Sequence, residues 1–81
     1  MQDLAGLKDL LAFLNFLKKK KISFIIEHCR PDAVMVSFTL VRVRVEVDFF
    51  EDHIEYSWFE GDESVASDTA GLFGIIAQHW D

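Results

Sequence analysis

The sequence predicts one α+β domain spanning residues 1–81, in which a four-stranded antiparallel meander carries an N-terminal and a C-terminal helix on one face, in the order α-β-β-β-β-α. Three observations predict this fold: leucines at helical spacing near the N-terminus, a long run of β-forming residues whose alternation slips once, and a second amphipathic stretch near the C-terminus. The chain has 81 residues, of which 51% are hydrophobic, so it can bury one core but has little room for a deep active site.

The first helix is predicted over residues 3–20, with Asp3 as its N-cap. Four lysines at residues 18–21 suit the negative end of the helix dipole. Phe16 projects away from the apolar stripe, so either a neighbouring segment covers it or it joins a contact patch. The stripe consists of Leu7, Leu10, Leu14 and Leu17.

The strands are delimited by turn residues. Residues 22–28 form the first strand, and a proline-containing turn over residues 29–32 ends it. Residues 54–60 form the last strand, and a turn over residues 61–64 follows. These elements flank a central run of β-forming residues.

That central run, residues 33–50, must turn back on itself. One straight strand of this length would extend about 60 Å, whereas a domain of this size has a radius of gyration of about 12 Å. The apolar residues fall at even positions up to Leu40 and at odd positions from Val41. Because side chains alternate along a strand, a one-residue slip marks a tight turn or a bulge. We predict a hairpin near residues 39–42, with a bent, bulged strand as the alternative.

The C-terminal helix is predicted over residues 69–79, with Ser67 or Asp68 as its N-cap. Gly71 and Gly74 each weaken this helix by about 1 kcal/mol relative to alanine. The helix must therefore depend on tertiary packing.

Charge is segregated along the chain. All eight Lys and Arg residues lie in residues 1–44, ten of the fourteen carboxylates lie in residues 45–81, and the net charge is −6. Either the lysine-rich end of the first helix folds over the acidic half, or one acidic face stays open. We expect no nucleic-acid binding, because neutralising phosphates requires a basic surface.

The N-terminal apolar run is too short and too interrupted to span a bilayer, and its lysines follow it instead of preceding it as in a secretory signal. Cys29 is the single cysteine, which excludes an internal disulfide and favours a reducing compartment. These features predict a cytoplasmic protein without membrane contact.

The residue types that carry catalysis or bind metals do not fall into a working pattern. Cys29 follows His28 directly, so in a strand their side chains point to opposite faces and cannot form a thiolate–imidazole pair. His53 with Glu51 and Glu55 lacks the spacing of a metal site. We therefore expect no metal, no cofactor and no enzymatic activity.

The segment FEDHIEYSWFEGDE, residues 50–63, instead favours a docking surface. In a hairpin of residues 41–60, Phe50 and Phe59 face outward among carboxylates, which places apolar anchors within a charged rim. Clustered acids would also accelerate association with a basic partner. The predicted partner-binding residues are Phe50, Glu51, Asp52, Glu55, Phe59, Glu60, Asp62 and Glu63.

Residues 32–59, DAVMVSFTLVRVRVEVDFFEDHIEYSWF, resemble a module of short, mostly uncharacterised bacterial proteins in which a helix precedes strands of this type. The chain departs from that pattern at His53, where glycine is usual, and at Val41 and Arg42, where a Pro-Gly-like turn is usual. Some proteins of this kind are associated with toxin–immunity loci, so the resemblance implies an immunity role and carries no catalytic residue. The matching positions are Arg44, Glu46, Val47, Phe49, Phe50, Glu51 and Asp52.

These observations predict a non-enzymatic protein-binding domain. Its most concrete form is an immunity or inhibitor protein that covers a basic surface of a toxin or nuclease. The alternative is a small self-associating domain, such as a homodimer through an open sheet edge, or a ligand-binding domain without catalysis.

Overall fold

A five-stranded antiparallel sheet and two helices form the fold in the computed structural model, which describes residues 4–60, 62–66 and 68–80, apart from the side chains of Cys29, Glu60, Asp62, Glu63 and Ser64. The elements are a 3-10 turn at Leu7–Asp9, α1 (Leu10–Lys19), β1 (Phe24–Arg30), β2 (Ala33–Leu40), β3 (Val43–Phe50), β4 (Ile54–Glu60), β5 (Asp62–Ala66) and α2 (Thr69–His79). The strands follow the order β1-β2-β3-β4-β5 in the sheet, which confirms the predicted antiparallel meander.

The single slip in alternation marks a hairpin. Leu40 lies opposite Val43, so Val41 and Arg42 form a two-residue turn between β2 and β3. The backbone of Arg42 has a φ of 68°, the left-handed region that tight turns require and that side chains disfavour. This result confirms the predicted turn near residues 39–42 and excludes the bent, bulged strand.

The core lies between one face of the sheet and both helices. The ring of Phe13 in α1 is 6.0 Å from that of Phe38, 5.5 Å from that of Phe49 and 6.2 Å from that of Phe73 in α2. Phe16, predicted to point away from the leucine stripe, packs edge-on against Phe73 at 5.0 Å. One aromatic cluster therefore joins α1, α2 and the sheet. The fully buried residues around it include Leu17, Val36, Val43, Val45, Val47, Ile54 and Leu72.

The sheet has five strands, not the predicted four. The turn predicted over residues 61–64 is largely strand, because β5 pairs with β4 from Asp62 to Ala66. Asp, Glu and Ser have weak intrinsic β propensity, but pairing with a formed neighbour overrides such local preferences. Strand β5 is therefore an edge strand that the sequence pattern conceals.

Helix α1 begins at Leu10 rather than at residue 3, and the predicted N-cap Asp3 lies outside the described residues. Gly6 has a φ of 143°, and an added Cβ would lie only 2.6 Å from the carbonyl oxygen of Glu51. Only glycine allows this close approach, so the chain crosses the β3–β4 turn before it becomes helical. The carboxylate of Asp9 then accepts a hydrogen bond from the Ala5 N–H at 2.7 Å.

Helix α1 ends in a Schellman motif. The Ile22 N–H donates to the Leu17 carbonyl at 2.9 Å and the Lys21 N–H donates to the Lys18 carbonyl at 3.0 Å. Lys21 has the left-handed φ of 62° that this motif requires. Ile22 and Leu17 are both buried, which supplies the hydrophobic contact that accompanies the motif.

The C-terminal ends of both helices meet the β2–β3 turn. The Trp80 indole N–H donates to the Lys20 carbonyl at 2.8 Å, and the Val41 N–H donates to the His79 carbonyl at 3.2 Å. We call this part of the molecule, which carries Lys18, Lys19, Lys20, Lys21 and Arg42, the basic end. Neither helix in the described part of the chain has the length and hydropathy needed to cross a bilayer.

Candidate protein-binding surface

Two turns bring carboxylates together at the other end of the sheet. Antiparallel pairing places the β1–β2 turn at residues 31–32 and the β3–β4 turn at residues 51–53 on the same side. This end is about 23 Å from the basic end, the length of β2. We call it the acidic end and define it by Asp32, Glu51, Asp52 and Glu55.

An open cleft of about 480 Å³ lies between the two turns. Its inner surface includes Ala33, which is 4% exposed, and Phe50, and its rim carries Asp32, Glu51 and Asp52. An apolar floor with carboxylates around it is suited to the aliphatic stem and charged head of a lysine or arginine side chain. The other lining residues are Leu7, His28, Pro31, Val34 and His53.

Phe50 is not the exposed anchor that the sequence predicts, because it is only 8% exposed. Its ring stacks on the imidazole of His53 with centroids 4.4 Å apart and planes 4° apart. The guanidinium of Arg30 lies 4.9 Å from the same ring centroid. Alternation placed Phe50 on the outer face correctly, but the side chains of Arg30, at the end of β1, and His53, in the β3–β4 turn, cover it there. Phe50 therefore packs beneath His53 and Arg30 at the acidic end and is not itself an exposed contact.

His53 bridges two carboxylates. Its Nδ1 lies 2.8 Å from Asp52 Oδ1 and its Nε2 lies 3.3 Å from Glu55 Oε2. The hydrogen bond with Asp52 raises the pKa of His53 above its usual value of 6.5, with a further contribution from Glu55. The same hydrogen bond lowers the pKa of Asp52. The sequence pattern suggests His53 only as a possible metal ligand. The run Asp-His-x-Glu, however, indicates that a histidine could bridge the two flanking carboxylates.

The eight predicted partner-binding residues do not form one surface. Glu51, Asp52 and Glu55 lie at the acidic end, whereas Phe59 pairs with Arg44 toward the opposite end of β4. Phe59 is also partly buried rather than fully exposed. Strand β4 extends about 20 Å between its ends. The side chains of the three remaining predicted residues, Glu60, Asp62 and Glu63, lie outside the described part of the chain.

The outer face of β3 carries a local ion pair. Arg44 Nη2 and Glu46 Oε2 are 2.9 Å apart. Partial burial raises the pKa of Asp48, although the positive charge of Arg30 acts to lower it. Asp48 lies opposite Met35 and Glu55 in the sheet, so it extends the carboxylates of the acidic end onto this face.

The end of β1 is irregular. The β1–β2 register shifts between Glu27 and Arg30, so His28 and Cys29 together face Val34 across a β-bulge. Strict alternation, on which the prediction for the His28 and Cys29 side chains depends, does not hold inside a bulge. The side chain of Cys29 is not among the described ones. Within the described residues, no group of three or more His, Cys, Asp or Glu side chains could hold a metal ion.

Comparison of the chain with protein-family models, with curated proteins and with solved structures finds no match in any of the three. The functional conclusion therefore rests on the geometry and charge of the acidic end.

Proposed function

We propose that this chain is a non-enzymatic protein-binding domain whose acidic end binds a basic surface of a partner protein in the cytoplasm. The observation that supports this proposal is the cleft itself, which combines an apolar floor with the carboxylates of Asp32, Glu51 and Asp52. In its most concrete form the domain is an immunity or inhibitor protein that covers the basic surface of a toxin or nuclease.

The cleft suits a side chain better than a flat contact. A lysine or arginine of the partner could lay its aliphatic stem over Leu7 and Ala33 while its charge meets Glu51. Asp32 already contacts Arg30 at 3.4 Å, and Asp52 already contacts His53 at 2.8 Å. The partner's cation would therefore join a network that is arranged before binding, which lowers the ordering cost of association.

The charge distribution favours a defined orientation. The lysines at residues 18–21 lie at the basic end and so do not cover the acidic end. Arg30–Asp32 and Arg44–Glu46 are ion pairs between near neighbours in the sequence. Carboxylates clustered at the acidic end attract a positively charged partner toward that end, which raises the association rate at low ionic strength.

Two charge-matched triple variants test the proposal. In one, Glu51, Asp52 and Glu55 are replaced by lysine; in the other, Glu60, Asp62 and Glu63 are. Each variant is titrated with a capped peptide of alternating Lys and Arg, and backbone amide shifts are followed by NMR. For the wild-type chain we expect shifts concentrated at residues 31–34 and 50–53. We expect affinity to fall about tenfold or more in the first variant and to be largely retained in the second.

Equal loss of affinity in the two variants would show that net charge, not the acidic end, determines binding, and would contradict the proposal. A capped glutamine peptide of the same length is the matched ligand control and should cause no shifts. The immunity form has its own test, which is suppression of toxicity of a toxin encoded immediately upstream. The wild-type chain should suppress it, and the Glu51, Asp52 and Glu55 triple variant should not.

A further inference from the structure

Strand β1 forms an outer edge of the sheet, with β2 on one side of it. Two consecutive residues of this strand, Ile25 and Ile26, are 63% and 49% exposed. Because neighbouring residues of a strand point to opposite faces, apolar surface is exposed on both sides of the same edge. Soluble proteins usually protect such an edge with charge, proline or a covering segment, since it can pair with another strand.

We propose that two copies of this chain pair antiparallel through β1, forming one continuous ten-stranded sheet around a two-fold axis. A two-fold interface uses the same surface of both copies, so β1 must be compatible with itself. The register centred on Ile26 meets this condition. It places Ile26 opposite Ile26 of the second copy, Ile25 opposite Glu27, and Phe24 opposite His28.

A neighbouring register is less favourable. Centring the pairing on Glu27 would place two glutamates directly opposite each other, and like charges in a cross-strand pair are destabilising. The register centred on Ile26 opposes no like charges between the paired positions 24–28. It also buries Ile26, the more central of the two isoleucines, against Ile26 of the second copy.

The charge of the whole molecule favours the same arrangement. Strand β1 begins beside the basic end, after Lys21, and ends beside the acidic end, before Asp32. Antiparallel pairing therefore lays the lysines at residues 18–21 of each copy alongside the Asp32 turn of the other. Because of the two-fold symmetry, each dimer contains this attractive contact twice.

The opposite edge of the sheet is less suited to this role. Strand β5 has five residues where β1 has seven, and Val65 is its exposed large apolar residue among the described side chains. Val65 is 63% exposed, the same value as Ile25. This equality makes Val65 a matched control position.

Sedimentation equilibrium over a range from micromolar to millimolar protein tests the proposal. The wild-type chain should change from monomer to dimer across this range. In Ile25→Lys and in Ile26→Lys the dimer dissociation constant should rise about tenfold or more, because a charge is placed in the interface. Val65→Lys carries the same charge change at equal exposure and should leave the constant unchanged.

Hydrogen exchange of the wild-type chain gives a second measurement that does not depend on how the variants fold. The β1 amides should become more protected as protein concentration rises, and those of β5 should not. A wild-type chain that stays monomeric at millimolar concentration overturns the proposal. So does a dimer that Val65→Lys dissociates and the β1 substitutions leave intact. The Asp32 turn takes part in both proposals, but dimerisation is measured without peptide, so either proposal can fail without the other.

Discussion

At the scale of single residues, the acidic end is organised by one histidine. His53 stacks on Phe50 and contacts the carboxylates of Asp52 and Glu55. In its protonated form both ring nitrogens donate, so each carboxylate is oriented without being neutralised by a lysine or arginine. The Phe50–His53 stack therefore positions the histidine that contacts the two carboxylates, and Phe50 is not an exposed apolar anchor.

Replacing Asp52 with asparagine should lower the pKa of His53 toward its usual value, because the hydrogen bond that contributes most to the shift loses its charge. The titration of the His53 ring protons by NMR measures this directly. Asp32→Asn is the matched control, since Asp32 contacts Arg30 instead, and should leave the midpoint nearly unchanged. An equal decrease in both variants would mean that the general field of the acidic end, not the hydrogen bond, shifts the pKa.

The direction of the two shifts also determines how the pair acts on folding. The pKa of His53 is raised, so its stabilising effect is complete below 6.5 and is lost as pH rises through the folded-state value. The pKa of Asp52 is lowered, so its effect is present above 3.8 and is lost as pH falls through the folded-state value. Wild type should therefore exceed His53→Gln in unfolding free energy by more at about pH 5.5 than at about pH 9.

At the scale of elements, the two glycines of α2 have different roles. Asp68 caps the helix by accepting a hydrogen bond from the Gly71 N–H at 2.8 Å, and its other oxygen accepts one from the Tyr56 hydroxyl at 3.2 Å. A Cβ on Gly71 would meet the Tyr56 hydroxyl and would lie 2.5 Å from Asp68 Oδ2. A Cβ on Gly74 would meet nothing within 4 Å.

Burial, with a further contribution from Asp68, raises the pKa of Tyr56 to about 12, so the phenol remains a donor at neutral pH. The contact between β4 and the start of α2 is therefore a hydrogen bond across the ordinary pH range. Gly71 is the residue that lets the helix approach β4 closely enough for this bond.

We expect Gly74→Ala to raise the free energy of unfolding by about 1 kcal/mol, the difference in helix propensity. Gly71→Ala should instead lower it by about 1–2 kcal/mol, because the added methyl group displaces the N-cap and the Tyr56 hydroxyl. Urea denaturation followed by circular dichroism measures both. Stabilisation by Gly71→Ala would contradict the close approach of Gly71 to Tyr56 and Asp68.

At the scale of the whole molecule, the basic end connects the helices with the sheet. The C-termini of α1 and α2 and the β2–β3 turn meet there through two hydrogen bonds, from Trp80 to Lys20 and from Val41 to His79. The lysines at residues 18–21 also lie near the negative ends of both helix dipoles, an arrangement that favours their charge. The lysines at residues 18–21 therefore lie at the end of the sheet opposite the acidic end.

Trp80→Phe keeps an aromatic ring but removes the indole donor to Lys20. We expect a loss of about 1 kcal/mol in unfolding free energy, typical of one hydrogen bond. Because this bond connects α1 with α2, the loss should affect the whole domain. Circular dichroism and the fluorescence of Trp58 should therefore show the same lowered urea midpoint. An unchanged midpoint would show that residue 80 frays independently of the core.

Much of the fold follows from local pattern. The direction of a side chain in a strand depends on its backbone position alone, and alternation correctly assigned Val36, Val45 and Val47 to the core. The phase slip after Leu40 located the β2–β3 turn for the same reason. Helical spacing likewise identified Leu17 as a core residue of α1, although the close approach of Gly6 to the β3–β4 turn delays the start of that helix.

The sequence by itself therefore determined which residues share a face and where charges lie along the chain. Only the tertiary structure decided that residues 62–66 pair as a fifth strand, that Arg30 and His53 cover Phe50, and that the predicted docking residues divide between two ends of β4. Each of these depends on which distant segments lie side by side. Strand pairing and turn position set those neighbours through hydrogen bonds and packing between separate elements, which local propensity and periodicity do not encode.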